Sequence, residues 1–347
     1  MNTRLENTVV RIAFDAMGGY NAPQAVVKAA ARASLEHSFH CVLVGDGSQL
    51  DPLLQNETHN PEKLSIHHAA GVISLGSRPD QALGGVGDTS IERAAALLGS
   101  DQVDALVTAG NAGVATLAIK RHVPMLQGIR RAAIAAVIPT PRRRGAKKDP
   151  FCLLLDVGAS VHTEAEDLSS FAVMGAAYAR CISENPRPTV ALLSVSREAD
   201  VGPDWVVRAH RLLAGRAVDE HFEFIGNIEG HQLLSGEADV VVCDGFTGNI
   251  TVRLLEGMAD AAVDIAKAAY EKKLSWRLGL SMLSGGLEQL RRLTDWEQYG
   301  GAPLLGFQKP VLVTHSGSGE RALVNAARVA ARAVREGLVA QIQGKLG

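Results

Sequence analysis

Five short stretches place glycine beside small polar or acidic residues just past an apolar run. They are Asp15-Ala-Met-Gly18-Gly19, Gly110-Asn111-Ala-Gly113, Asp156-Val-Gly158-Ala-Ser160, Asp244-Gly245-Phe-Thr247-Gly248-Asn249 and His315-Ser-Gly317-Ser318-Gly319. Glycines let the backbone turn tightly where a strand ends. A helix that starts there offers unpaired N–H groups and the positive end of its dipole. Hydroxyls and amides added to such a corner suit a phosphate or a pyrophosphate-containing ligand. Each feature also has a plainer reading. Gly-rich corners are how strand-to-helix turns are made, Asp156 and Asp244 are suited to capping the helices that follow, and His315 is either catalytic or a core histidine bonded to a carbonyl. No G-x-x-x-x-G-K-[ST] run is present, no strand is followed by G-x-G-x-x-G, and there is no G-x-S-x-G. A P-loop enzyme, a nicotinamide dehydrogenase and a serine hydrolase are therefore disfavoured. No His pair or acidic cluster has metal-ligand spacing, so neither metal nor cofactor is expected.

The elements that position these stretches alternate. Strands are predicted over residues 9–15, 40–46, 103–108, 132–138, 152–157, 189–195, 222–225, 240–243 and 311–314, with helical segments between most of them, such as 22–34. This alternation predicts an α/β fold, with a mainly parallel sheet and helices on both faces. Residues 104–113 and 239–248 echo each other as a strand, Gly-x-x-Gly and a helix (115–121; 250–267). Ligands in open α/β sheets sit at carboxyl ends of strands, so both corners are expected to border one cleft. The expected domain is single and spans 9–340, with two intimately joined halves as the alternative. Residues 256–296 break the rhythm and read as a projecting helical hairpin turning at Gly285-Gly286. Its apolar residues serve either dimerisation and self-packing or contact with acyl chains and membrane.

Composition narrows the function classes. The chain has 347 residues, 46% hydrophobic and 21% charged, with only 4% aromatic. Ala, Val, Leu and Ile must build the core, which suits strands covered on both faces. Net charge is −2, so no global field favours nucleic acid or membrane. The run Arg142, Arg143, Arg144, Lys147 and Lys148 reads as a solvated loop. Cys41, Cys152, Cys181 and Cys243 form no C-x-x-C pair. Such thiols fit a reducing, cytoplasmic location rather than a disulfide framework. No apolar run approaches the roughly 20 residues needed to span a bilayer, and the polar first eight residues carry no signal-peptide pattern.

Read together, the fragments resemble the phosphate acyltransferase (PlsX) family over almost the whole chain. The matching stretches are Ile12-Ala-Phe-Asp15-Ala-Met-Gly18-Gly19, Val107-Thr-Ala-Gly110-Asn111-Ala-Gly113, Ile138-Pro-Thr140, Leu154-Leu-Asp156-Val-Gly158-Ala159, Phe171-Ala-Val-Met-Gly175, Phe224-Ile-Gly-Asn-Ile-Glu-Gly230, Asp239-Val-Val-Val-Cys-Asp244-Gly245-Phe-Thr247-Gly248-Asn249 and Tyr299-Gly-Gly-Ala-Pro-Leu-Leu-Gly306. The resemblance implies a fold similar to the isocitrate/isopropylmalate dehydrogenase type, used without nicotinamide. It implies a homodimer joined partly by the projecting helices, with peripheral membrane contact through their tip. It also implies an activity: acyl carrier protein thioester and inorganic phosphate give acyl phosphate for phospholipid synthesis. Asn111, Thr247 and Asn249 would lie near the phosphate or the pantetheine arm, with Asn249 and His315 in catalytic roles and His315 helping the thiolate leave. Asp15, Gly18, Gly19, Gly110, Gly113, Asp156, Gly158, Asp244, Gly245 and Gly248 would complete the binding surface.

The chain departs from that pattern where the family tends to be polar or basic. Tyr20 stands for an Asp; Gly84, Val86 and Gly87 occupy a normally basic stretch; and Glu164, Val201 and Thr314 stand for lysines. A charge-assisted contact is worth roughly 1.5–3 kcal/mol, so losing several would weaken phosphate binding. Arg78, Arg197 and His162 lie close enough in sequence to compensate. Two alternatives stay open: an acyltransferase paralogue with another acceptor in specialised lipid or polyketide metabolism, and a non-catalytic protein that binds acyl carrier protein.

Overall fold

The computed structural model describes residues 9–79, 88–144, 149–216, 221–272 and 300–345. Its strands are β1 (Val10–Asp15), β2 (Phe39–Gly45), β3 (Leu64–His68), β4 (Ala105–Thr108), β5 (Ala133–Arg144), β6 (Asp149–Leu155), β7 (Thr189–Leu193), β8 (Glu223–Ile228), β9 (Val240–Val242), β10 (Ala302–Leu305) and β11 (Val311–Val313). They form one sheet in the order β3-β2-β1-β4-β11-β10-β5-β6-β9-β7-β8. Among the described strands, the pairings β11–β10, β10–β5 and β5–β6 are antiparallel and the others parallel. The α/β class and the mainly parallel sheet are therefore as the alternation predicts. The strand at 64–68 was not predicted, because its sequence Leu-Ser-Ile-His-His is polar and it lies at an edge. The four-residue strand β10 was also missed, hidden between Gly300-Gly301 and Gly306.

Side-chain alternation along the strands builds two apolar layers. Ile12, Phe14, Val107, Leu153, Leu155 and Val242 point to one side and join a cluster that runs across the sheet. That side is covered by α1 (Gln24–Glu36), α5 (Ala165–Ile182) and α9 (Glu320–Arg335), which contribute Ala29, Ala33, Phe171 and Ala326. The opposite layer is split. Ala13, Leu106, Ile134 and Val311 pack with Leu98 of α3 (Ser90–Gly99) and Ile119 of α4 (Ala112–His122). Cys152, Leu154 and Val241 pack with Leu233 of the short α7 (Gly230–Leu233) and with Val252 and Leu255 of α8 (Gly245–Lys272). The remaining helices among the described residues are α2 (Gly47–Gln55), α6 (Asp204–Gly215) and α10 (Leu338–Gln343).

Two features of α8 bear on the sequence reading. The helix starts at Gly245 and not at residue 250, because the Asp244 side chain accepts from the Thr247 N–H at 2.9 Å and caps it from its first residue. It also ends the described part of the expected 256–296 hairpin, since residues 273–299 lie outside the described residues. Among the described residues, no helix is long and apolar enough to cross a membrane.

Candidate active site

The first cluster gathers where β1, β4 and β11 end. Asp15 and Thr108 are the last residues of adjacent strands, and Thr108 Oγ1 donates to Asp15 Oδ2 at 2.7 Å. The Gly110 N–H donates to the same threonine oxygen at 3.0 Å. Gly18 lies so close that a Cβ there would collide with Asp15 Oδ2 and come within 2.9 Å of the Gly110 nitrogen. Only glycine lets these two turns touch. Asn111 caps α4, accepting from Gly113 and Val114 N–H at 3.0 and 3.1 Å. Its amide nitrogen reaches the Leu75 carbonyl at 2.8 Å, drawing residues 75–77 against the corner.

The loop after β11 is tied to this corner. Tyr20 N–H donates to the Ser316 carbonyl at 2.7 Å, and Asn21 Nδ2 donates to the Gly317 carbonyl at 2.9 Å. Gly19 adopts a left-handed φ of 111°, packed between Ala109 and Ser316. His315 is exposed, and its Nδ1 accepts from the Gly317 N–H at 3.1 Å. In the neutral ring that bond places the remaining proton on Nε2. Thr314 is buried beside it and donates to the Thr108 carbonyl at 3.4 Å.

The second cluster forms where β6 and β9 end. Asp156 is fully buried and takes five donors. Ile134, Gly158 and Ala159 N–H reach Oδ1 at 2.9–3.0 Å, while Ser160 N–H and Oγ reach Oδ2 at 2.7 Å. Burial raises its pKa, and these donors pull the other way. Gly245 and Gly248 pack the start of α8 directly onto this turn. Thr247 is held locally, its hydroxyl donating to Asp244 at 2.7 Å. Asn249 Nδ2 donates to the Val157 carbonyl at 3.1 Å and lies over Gly158.

Register relates the two clusters. Leu106 pairs with Val311, Val311 with Leu304, and Leu304 with Ile134. Leu155 pairs with Ala135, which sets Asp156 level with Ile134 and thus with Leu106, two positions before Thr108. β4 and β9 run in opposite directions, yet the stagger brings their carboxyl ends to nearly one level. Val157 and Ala159 pack on the same cluster as Leu106, Val114 and Val313, so both corners share one face. β11, β10 and β5 lie between them, a separation of about 19 Å at normal strand spacing.

Two of the positions that bear on phosphate binding are engaged in ion pairs. Glu164, at an expected lysine position, is ion-paired with Arg208 at 2.9 Å and belongs to the capping box of α5. Arg197 points to Glu237 at 3.9 Å. Gly84, Val86 and Gly87 lie outside the described residues. Among the described residues, no group of three or more His, Cys, Asp or Glu side chains could hold a metal. Thr108 and Asn21 were missed as candidates. Their importance rests on contacts 93 and 296 residues away, which no local pattern signals.

Comparison with known proteins identifies the family. The family model described as "Fatty acid synthesis protein" matches residues 10–341. A phosphate acyltransferase of Moorella thermoacetica is 38% identical over 330 residues, covering 95% of this chain and 94% of that protein. One from Syntrophotalea carbinolica is 35% identical over 342 residues, covering 98% and 95%. This chain belongs to the phosphate acyltransferase family. Solved structures extend the likeness at the level of fold. A phosphotransacetylase from Streptococcus pyogenes superposes with a TM-score of 0.63 at 16% identity, covering 94% of each chain. The EutD phosphotransacetylase from Staphylococcus aureus gives 0.59 at 16%, covering 96% of each. The chain is a transferase of that family.

Proposed function

We propose that this protein transfers a fatty acyl group from an acyl carrier protein thioester to inorganic phosphate, giving acyl phosphate for phospholipid synthesis in the cytoplasm. The observation that carries the reading is the full-length match to phosphate acyltransferases. The shared face of the two corners supports it, because the first corner can hold phosphate while the second receives the pantetheine arm, which then reaches along the face to bring the thioester carbon to the phosphate. A phosphate oxygen attacks the thioester carbonyl carbon. The tetrahedral intermediate collapses with cleavage of the C–S bond, and the carrier's thiolate leaves and takes up a proton. Holding both reactants lowers the barrier by proximity, and backbone donors steady the oxyanion. His315, through its Nε2–H, is the hydrogen-bond donor we assign to the departing thiolate, which then takes its proton from water.

The test is release of free carrier thiol from acylated carrier protein, followed with and without phosphate. Release is expected only with phosphate; equal release without it would refute the reading. Replacing His315 by Ala should lower kcat about 100-fold while the KM for phosphate moves little. A KM effect with unchanged kcat would remove His315 from the chemistry.

The partner surface is part of the same proposal. Phe246, Ile250, Leu254 and Met258 follow one another at every fourth position of α8, each between 52% and 61% exposed. Such a stripe is suited to packing against a second copy of the chain, and membrane contact is assigned to the residues beyond it. Leu254→Glu is expected to convert a dimer to a monomer in analytical ultracentrifugation. An unchanged sedimentation coefficient would move the interface elsewhere.

A further inference from the structure

The corner after β1 leaves one polar atom unexplained. Asp15 is 3% exposed, and its Oδ1 makes no hydrogen bond of good geometry, although the Ser90 hydroxyl and the Met17 and Gly18 backbone face the carboxyl. Burying a carboxylate oxygen without a partner is costly, so such an atom calls for a reason. The other oxygen is accounted for. The Gly110 N–H donates to Thr108 Oγ1, and the threonine hydroxyl donates to Asp15 Oδ2. Oδ2 is therefore an acceptor, and a proton carried by this carboxyl sits on Oδ1. Asp15 lines a cavity of about 10 Å³ together with Gly18, Ser90, Gly110 and Asn111. That is room for a single oxygen atom.

We propose that Asp15 is a neutral acid whose Oδ1–H donates to one oxygen of the acceptor phosphate seated at the Gly18, Gly110 and Asn111 corner. The inference rests on the acyl-to-phosphate reading and deepens it. A carboxylate here would repel a phosphate anion, whereas a neutral acid adds a donor and no charge. Burial pushes the Asp15 pKa up, in keeping with this form. The groups around it do not reverse the effect. Thr108 of β4, Ser90 of α3 and the Met17 and Gly18 backbone face the carboxyl. Of the charged groups on the packed elements, Glu92 of α3 is turned to Arg121 and His122, Asp88 to Arg93, and Asp46 after β2 to Ser48 and Gln49. His315, on the loop beyond Gly19, holds the Gly317 N–H.

The test uses Asp15→Asn and Asp15→Ala in the full chain. Unfolding equilibria are first compared across pH. A carboxyl that stays protonated in the fold is bound to one more proton there than in the unfolded chain, above the ordinary value of 3.8. The ratio of the wild-type unfolding constant to that of D15N should then rise about tenfold per pH unit until the folded pKa is reached. A flat or falling ratio overturns the proposal, whatever the activity. Phosphate saturation is then measured. D15A should raise the KM for phosphate by about tenfold or more, and D15N, which keeps a donor at the same place, should bring it back to within about threefold. If D15A matches wild type, the cavity holds only water and the proposal fails. If the wild-type protein itself shows no phosphate-dependent turnover, the acyl-to-phosphate reading fails and takes this role with it. The unfolding ratio then still separates that failure from an ionised Asp15.

Discussion

Replacing Asp156 by Ala is expected to destabilise the protein by about 3–5 kcal/mol. The side chain is at the centre of the second corner and takes five donors from two segments, Ile134 and residues 158–160. Truncation leaves four N–H groups and one hydroxyl without their acceptor. Each buried orphan costs roughly 1–3 kcal/mol, and relaxation of the exposed Gly158 turn recovers part of it. The loss is a large share of the roughly 5–15 kcal/mol that typical domains have. Equilibrium unfolding in guanidinium measures it directly. The amide in D156N would keep one oxygen for Ile134, Gly158 and Ala159 but oppose the two Ser160 donors with an NH₂, so D156N should fall between D156A and wild type. A D156A protein within about 1 kcal/mol of wild type would mean that the turn is held by something else.

Gly248→Ala should be nearly as damaging, for a steric reason. A Cβ at Gly248 would overlap the Asp156 carbonyl oxygen and lie 2.9 Å from both the Asp156 carbonyl carbon and Cys243 Sγ. Backbone and a buried cysteine cannot move aside, so α8 must lift from the corner. Overpacking of this kind costs about 1–3 kcal/mol, sometimes more, and the displaced helix start should reduce acyl transfer too. The control is Gly215→Ala at the end of α6, where a Cβ meets nothing within 4 Å. It should leave stability within about 0.5 kcal/mol of wild type. Equal effects at the two glycines would show that close packing at Gly248 is not what holds the corner.

Much of the frame was legible in the sequence, and particular residues show where legibility stops. Val10–Asp15, Phe39–Gly45 and Val240–Val242 announce themselves as apolar runs that end in glycine or acid, because buried parallel strands need apolar side chains on both faces. Leu64–His68 does not, since an edge strand can be polar. The glycine-rich corners were also visible, yet their meaning was not. Asp156 looked like a binding group or a cap, and its actual donors include Ile134 on a neighbouring strand. Asp15 and Thr108 meet because β1 and β4 are neighbours in an order that the chain does not follow. The stagger that brings both corners to one level depends on β5 pairing with β10 through its first residues and with β6 through its later ones. Register of that kind is a property of the assembled sheet.

The most direct test of the account is acyl phosphate formation from palmitoylated carrier protein, with inorganic phosphate titrated from zero to saturation and the product trapped as its hydroxamate. The account requires a saturable, phosphate-dependent product formed in step with free carrier thiol. Carrier protein that binds and keeps its acyl group at every phosphate concentration would contradict it.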